Sequence, residues 1–254
     1  MIPVKTSAEI SVMRDACRMA AQVLEEMAQR VAPGVSTLEL DEYAKGIIDK
    51  FGAESACFRY KMGRHVFPAY TCISVNEEVI HGIPSKERVI RPSDIVSLDV
   101  VLRYNGFVGD NARTVFVGTV PPEVQSLCEV AEKALYAGIA QARSGNRVGD
   151  ISHAIEQFIR PHHYGIIESF VGHGVGRSMH EDPQIPNIGK AGTGSLLRPG
   201  MTLAIEPMVN LGKPDIVIQP DGWTVVTKDR KPSAHYEHTV LVTEDEPEIL
   251  TRIS

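Results

Sequence analysis

The sequence contains little cysteine and no long apolar run. Its four cysteines lie far apart and form no C-x-x-C pair: Cys17, Cys57, Cys72 and Cys128. We therefore expect reduced thiols in a cytoplasmic protein, and neither a disulfide framework nor a zinc site. No segment reaches the roughly 18 consecutive apolar residues that a membrane span needs. The N-terminal segment has no apolar stretch behind a basic one, so we expect no secretory signal.

An excess of basic residues is also missing. The chain has 26 Lys and Arg against 32 Asp and Glu, a formal net charge of −6, and no platform of aromatic and basic residues. We predict that it binds neither nucleic acid nor an anionic membrane directly. Hydrophobic residues make up 43% of the 254 residues, which is ordinary globular usage. No linker divides the chain, and we predict one domain over residues 1–254.

Signals for helices and then for strands occur twice along the chain. Capping boxes at Thr6–Glu9 and Ser36–Glu39 open two predicted helices. Short β-branched segments follow, among them AYTCISVN, IVSLDVVLRY and FVGDNARTVFVG. After Pro121 the order restarts, with EVQSLCEVAEKALYAGIAQAR and DISHAIEQFI as helices and TLAIEPMV, DIVIQP, WTVVT and HTVLVTE as strands. The pattern predicts an α+β fold whose two similar halves, roughly residues 1–120 and 121–254, share one sheet.

Two aspartates in SLDVVLRYNGFVGD are predicted to share one face of a hairpin. Asn105-Gly106 between two apolar strands indicates a two-residue turn, which places Val101 opposite Asp110. Asp99 and Asp110 then become diagonal neighbours on one face, with Cα atoms roughly 7–8 Å apart. Two such carboxylates repel each other, and a divalent metal would relieve the repulsion. The alternative is an aspartate exposed at the hairpin end, and a one-residue slip would separate the pair.

Three further side chains could complete a metal site. His173 lies between two glycines, which allow close backbone approach and can present the imidazole at the floor of a cleft. Glu206 lies in an apolar strand, and Glu237 directly precedes another. Separately, each has a plain alternative: a glycine-rich turn for the histidine and a solvated carboxylate for each glutamate. With Asp99 and Asp110 they supply four carboxylates and one imidazole, a set that suits two bridged divalent ions.

The chain resembles the methionine aminopeptidases of the pita-bread metallopeptidase family, and most closely the bacterial type I enzymes. The resemblance rests on motifs in a fixed order: SVNEEVIHGIPS, SLDVVLRYNGFVGD, GHGVGRSMHEDP, LAIEPMV and AHYEHTVLVTE. It implies two pseudo-symmetric halves and a curved central antiparallel sheet covered by two pairs of helices. It also implies a monomeric cytoplasmic enzyme that removes N-terminal methionine from nascent proteins, with action at the ribosome as a further expectation.

The resemblance implies the following metal site. Two divalent ions, Co, Mn or Fe(II) with Zn or Ni as alternatives, would be held by Asp99, Asp110, His173, Glu206 and Glu237. A water shared by the ions would become a hydroxide-like nucleophile. Glu206 would act as its general base and then as proton donor to the leaving amine.

The resemblance also assigns the substrate contacts. His180 would stabilise the developing oxyanion and His81 would hydrogen-bond the scissile amide. Phe67, Cys72 and Trp223 match the pocket for the methionine side chain. Trp223, the only tryptophan of the sequence, could alternatively be an ordinary core residue. A monovalent cation would bind near Asn76 and Ser233.

The chain departs from the family pattern in FRYKMGRHVFP. Lys61 and Arg64 stand where members usually have a cysteine and a tyrosine. We predict that these cations either extend outward and cover the pocket rim with their stems or alter what the pocket accepts. A basic rim would favour acidic residues after the methionine.

Two rival functions remain. An X-Pro aminopeptidase or prolidase would share the five ligands, but it usually carries an additional N-terminal domain and extra histidines around the site. A non-catalytic binding relative usually loses metal ligands, whereas all five are present here.

Overall fold

The computed structural model describes residues 2–253. Its helices are Ser7–Arg30 (α1), Thr37–Lys50 (α2), Pro122–Ile139 (α3) and Val148–Ile159 (α4), with a 3₁₀ turn at Arg160–His162. The strands before α3 are Glu54–Ser55 (β1), Lys61–Met62 (β2), His65–Val66 (β3), Cys72–Val75 (β4), Glu78–Ile80 (β5), Ile95–Tyr104 (β6) and Phe107–Phe116 (β7). Those after α4 are Gly165–Ile166 (β8), Gly172–Gly174 (β9), Glu181–Ile185 (β10), Thr202–Ile205 (β11), Met208–Asn210 (β12), Ile216–Ile218 (β13), Val225–Thr227 (β14), Ser233–His235 (β15), Glu237–Leu241 (β16) and Glu248–Ile249 (β17).

The first two helices begin at the predicted capping boxes. The Thr6 hydroxyl accepts a hydrogen bond from the Glu9 amide, and the Glu9 carboxylate accepts one from the Thr6 amide. Ser36 and Glu39 repeat this exchange at α2. Each box satisfies amides that the first helical turn leaves free. Within residues 2–253, no helix is both long and apolar enough to cross a membrane.

A nine-stranded antiparallel sheet forms the centre of the molecule. Its strands follow the order β1-β6-β7-β16-β11-β9-β10, with β4 also paired to β6 and β17 to β16. The β6–β7 hairpin has Tyr104 opposite Phe107 and Val101 opposite Asp110. The predicted turn and register are therefore confirmed.

Both helix pairs cover the same face of this sheet. Residues of α1 and α2 pack with Leu98 and Leu102 of β6, and residues of α3 and α4 pack with Leu203 of β11. The backbone of α1 comes so close to β7 that a Cβ on Gly109 would lie 2.6 Å from the carbonyl oxygen of Ala16. Because alternate residues point to opposite faces, the neighbours of these core residues face a cleft on the other side.

Candidate metal centre

Five adjacent strands each bring one predicted ligand to the face without helices. In sheet order these are Asp99 on β6, Asp110 on β7, Glu237 on β16, Glu206 just after β11 and His173 on β9. Neighbouring strands lie about 4.8 Å apart. Side chains on adjacent strands can therefore reach a common ion.

The strand register explains why three of the carboxylates converge. Asp99 and Glu237 both lie directly opposite Ala112, one on each side of it. Asp110 lies two residues before Ala112 on the same strand. Opposed residues and residues two apart share a face, so the three carboxylates point into one space.

The glycines around His173 serve close strand packing. A Cβ on Gly172 would overlap the carbonyl oxygen of Ala204, and one on Gly174 would overlap that of Asp182. Neither glycine has a positive φ. Glycine is therefore needed at both positions for close backbone approach, as predicted from the sequence, and not for an unusual backbone conformation. His173 Nδ1 lies 2.9 Å from its neighbour's carbonyl oxygen. Donation there leaves Nε2 free as a ligand atom.

Glu206 lies where Pro207 interrupts the sheet, between β11 and β12. Its Oε1 is 3.4 Å from His173 Nε2, and its Oε2 is 3.6 Å from Nε2 of a second histidine, His235. Sequence reasoning missed His235. It stands two residues before Glu237, and the alternation of side chains along an extended segment was a signal that could have found it.

The donor set fits divalent cations. One ligand atom each from Asp110, His173 and Glu237 lies within 4.8 Å of the others, and all three residues are buried. Oδ1 of Asp99, Oδ1 of Asp110 and Oε1 of Glu237 are buried without a hydrogen-bond partner. Buried carboxylate oxygens normally have a partner, and hard oxygen ligands around one imidazole suit divalent metals.

The protonation equilibria of these groups are strongly perturbed in the ion-free chain. Burial, reinforced by the neighbouring carboxylates, raises the pKa of Asp110 and of Glu237 well above the usual range. Burial also raises the pKa of Asp99 and of Glu206. It lowers the pKa of His173 to about 4, so this imidazole is neutral at pH 7 and able to ligate a metal.

A cavity of about 300 Å³ opens over the cluster. His81, which lies against Phe170 and has the positive φ of +57°, and His180 both line it. The hydroxyl oxygen of Tyr60 is 2.9 Å from His180 Nδ1. The ring of His180 also lies against the ring of His173. The predicted substrate contacts are thus grouped around the carboxylates.

The three predicted pocket residues form one wall of this cavity. Phe67, Cys72 and Trp223 all line it, and the rings of Phe67 and Trp223 meet edge to face at 5.3 Å. Further lining residues that the sequence did not single out are Cys57, Tyr60, Met62, Val101, Phe170 and Met179.

The prediction that Lys61 and Arg64 replace a cysteine and a tyrosine of the pocket is wrong. Cys57 and Tyr60 line the cavity, whereas Lys61 and Arg64 are exposed on the β2–β3 hairpin. The hairpin reverses the chain within two residues and carries both cations out of the pocket wall. Only Met62 of the hairpin strands lines the cavity.

Asn76 and Ser233 lie together beside the sheet. The Ser233 amide donates to the carbonyl oxygen of Asn76 at 2.9 Å. The Asn76 side chain is used within the fold, donating to Asp94 and accepting from the Ile95 amide.

The chain is similar to known metallopeptidases. Residues 11–244 match the model of metallopeptidase family M24. The chain is 45% identical over 253 residues to methionine aminopeptidase 1 of Bacillus subtilis, covering all of both chains. The solved methionine aminopeptidase of Thermotoga maritima superposes with a TM-score of 0.95 at 43% identity, again over the full length of both. A prolidase of Pyrococcus furiosus shares the fold at a TM-score of 0.79 and 23% identity, and 66% of that chain is covered.

Proposed function

The chain belongs to metallopeptidase family M24 and, within it, to the methionine aminopeptidases, and from this we propose how its own residues remove an N-terminal methionine. The observation that carries the proposal is the set of partnerless buried oxygens on Asp99, Asp110 and Glu237 beside His173. We propose that these residues and Glu206 hold two divalent ions. The ligand set favours Mn(II), Fe(II) or Co(II), with Zn(II) or Ni(II) as alternatives.

The ions, when bound, lower the pKa of water and polarise the substrate carbonyl. In this proposal the carboxylate of Glu206 accepts the proton of the attacking water and returns it to the leaving amine. Asp99 lies at the far side of the cluster from His173 in sheet order. We propose that the free α-amino group of the substrate binds at the end of the cluster that Asp99 occupies. This placement would restrict cleavage to N-terminal residues.

Two histidines act on the scissile peptide in this scheme. His180, oriented by the hydroxyl of Tyr60, donates to the developing oxyanion. His81 hydrogen-bonds the scissile amide. Burial lowers the pKa of His81 to about 4, so it acts as a neutral imidazole at pH 7.

The methionine side chain would occupy the wall formed by Phe67, Cys72 and Trp223. Aromatic edges and thiols offer favourable contacts to a thioether. Cys57 and Tyr60 extend the same wall and are added to the proposed pocket.

Further parts of the proposal concern the surroundings of the site. A monovalent cation would bind near the carbonyl of Asn76 and Ser233. The substrates would be nascent chains, met in the cytoplasm by a monomer, with the ribosome as the place of encounter. The cytoplasmic assignment is supported by four buried, unpaired cysteines.

A panel of peptides assayed with defined metals tests the proposal. We expect the protein loaded with Mn(II) or Co(II) to release methionine from Met-Ala-Ser and to leave Ala-Pro and X-Pro-Y intact. Glu206→Ala should lower kcat by at least about 10²-fold, because its general base is gone. Preferred cleavage of the X-Pro substrates would favour the prolidase-like alternative. Metal-loaded protein that cleaves none of them would favour the non-catalytic binding relative.

A further inference from the structure

His235 is a second buried imidazole beside the carboxylate of Glu206. The residue is 2% exposed, and its Nε2 lies 3.6 Å from Glu206 Oε2. This nitrogen is buried and has no hydrogen-bond partner. A buried polar atom without a partner costs about 1–3 kcal/mol, so the placement of His235 calls for a physical reason.

The backbone holds this imidazole in place from two sides. The His235 amide donates to the hydroxyl of Thr114, and this hydroxyl donates to the carbonyl oxygen of His235, both at 3.0 Å. On the other side, His235 pairs with Met208 of β12. The backbone of His235 therefore keeps its place next to β12 unless strand pairing changes.

His235 lies behind the metal-facing groups. The cavity is lined by Glu206 and His173 but not by His235. Glu206 thus has an imidazole on each side: His173 near Oε1 and His235 near Oε2. Residues that hydrogen-bond the ligands of a metal fix the direction of those ligands, and their loss typically costs 10–100-fold in metal affinity or activity.

We propose that His235 is a positioning residue whose Nε2–H donates a hydrogen bond to Oε2 of Glu206 and thereby directs Oε1 toward the metal centre. The present separation is a few tenths of an ångström beyond an ordinary N–H···O bond, which a small rotation of either side chain removes. The inference rests on the proposed function, because Glu206 is taken there as ligand and base.

The test compares His235→Leu with His235→Gln in the full-length protein. Mn(II) binding is measured by calorimetry, and kcat and KM are measured with Met-Ala-Ser. We expect the leucine variant to bind Mn(II) about 10–100-fold more weakly and to lose kcat by a similar factor. KM should change little, since His235 does not line the cavity. The glutamine variant, whose amide can donate at similar reach, should recover most of both losses.

His238→Leu is the matched control. This histidine lies on the next strand, and its Nδ1 is 2.9 Å from the hydroxyl of Thr251, away from Glu206. It should leave Mn(II) affinity unchanged. If His235→Leu does not fold, as judged by circular dichroism, His235→Asn replaces it because its shorter side chain cannot reach Glu206.

Two results would overturn the inference. One is a folded leucine variant with wild-type Mn(II) affinity and kcat. The other is the loss of one bound Mn(II) in both the leucine and glutamine variants, which would make His235 a ligand. A wild-type protein that binds no Mn(II) and leaves Met-Ala-Ser intact would instead refute the proposed function, independently of these variants.

Discussion

Lys5 and Glu181 form an almost completely buried ion pair. Their charged atoms are 2.6 Å apart, and the side chains are only 5% and 10% exposed. The pair ties the segment before α1 to the start of β10, directly after His180. A buried charge is tolerated only while its partner is present.

We predict that Lys5→Met lowers the free energy of unfolding by about 3–5 kcal/mol, because Glu181 would be left buried and unpaired. Urea denaturation measures the change. Arg14→Met, at the half-exposed Arg14–Glu248 pair, should cost about 0–1 kcal/mol. The double variant Lys5→Met/Glu181→Leu should recover much of the loss. Equal effects at the two pairs would contradict the prediction.

At the scale of single elements, the β2–β3 hairpin borders the site. Gly63 and Arg64 form its two-residue turn, and Gly63 has a φ of +58°, as the first position of a type II′ turn requires. Met62 lines the cavity although half of it is exposed. Between Glu54 and Glu77 the sequence contains no acidic residue, so Lys61 and Arg64 have no acidic neighbour along this segment.

We predict that Lys61→Glu/Arg64→Glu lowers kcat/KM for peptides with acidic residues after the methionine. Surface charges are each worth up to about 1 kcal/mol, so we expect up to about fivefold per charge. The ratio kcat/KM for Met-Ala-Asp-Asp over Met-Ala-Lys-Lys measures the effect. High salt should abolish it by screening.

Lys133→Glu is the control for this prediction. Lys133 is exposed on α3, and its only ion pair is with Glu129 on the same helix among the described residues. Reversing its charge changes the net charge without changing the hairpin. If the hairpin variant and the Lys133→Glu control show the same ratio of kcat/KM for the acidic over the basic peptide, the prediction of a basic rim is wrong.

For the whole molecule, the sheet combines helix packing on one face with concentrated negative charge on the other. Burial raises the pKa of Glu206 to about 8, and those of Asp110 and Glu237 well above their usual range. Above about pH 7 the ion-free folded protein therefore binds more protons than the unfolded chain. The free energy of unfolding must fall as pH rises there. Burial lowers the pKa of His173 to about 4, so this histidine destabilises the fold at low pH and makes stability rise with pH only below about pH 6.5.

We predict that Tm of the chelator-treated protein falls between pH 7 and pH 8. One proton of difference is worth about 1.4 kcal/mol per pH unit, or about 3–6 °C in a chain of this size. Mn(II) should remove most of this slope, so its stabilising effect should grow with pH. In the double variant Asp110→Asn/Glu237→Gln, the Tm of the chelator-treated protein should fall less between pH 7 and pH 8. An ion-free Tm that rises from pH 7 to pH 8 would contradict the prediction.

The sequence by itself determined the local features. Capping boxes fixed the starts of α1 and α2, because their hydrogen bonds join residues three apart. Asn105-Gly106 fixed the β6–β7 register and with it the shared face of Asp99 and Asp110, because turn geometry and the period of two are local. The motif resemblance named the remaining ligands. The division into halves at residues 1–120 and 121–254 stays a prediction.

Only the tertiary structure decided how distant segments meet. Glu237 reaches Asp110 because β16 pairs with β7, and His173 reaches Glu206 because β9 pairs with β11. The pairing of β15 with β12 likewise brings His235 beside Glu206. Short-range patterns set backbone conformation over a few residues, whereas the convergence of side chains depends on the register between strands far apart in the chain.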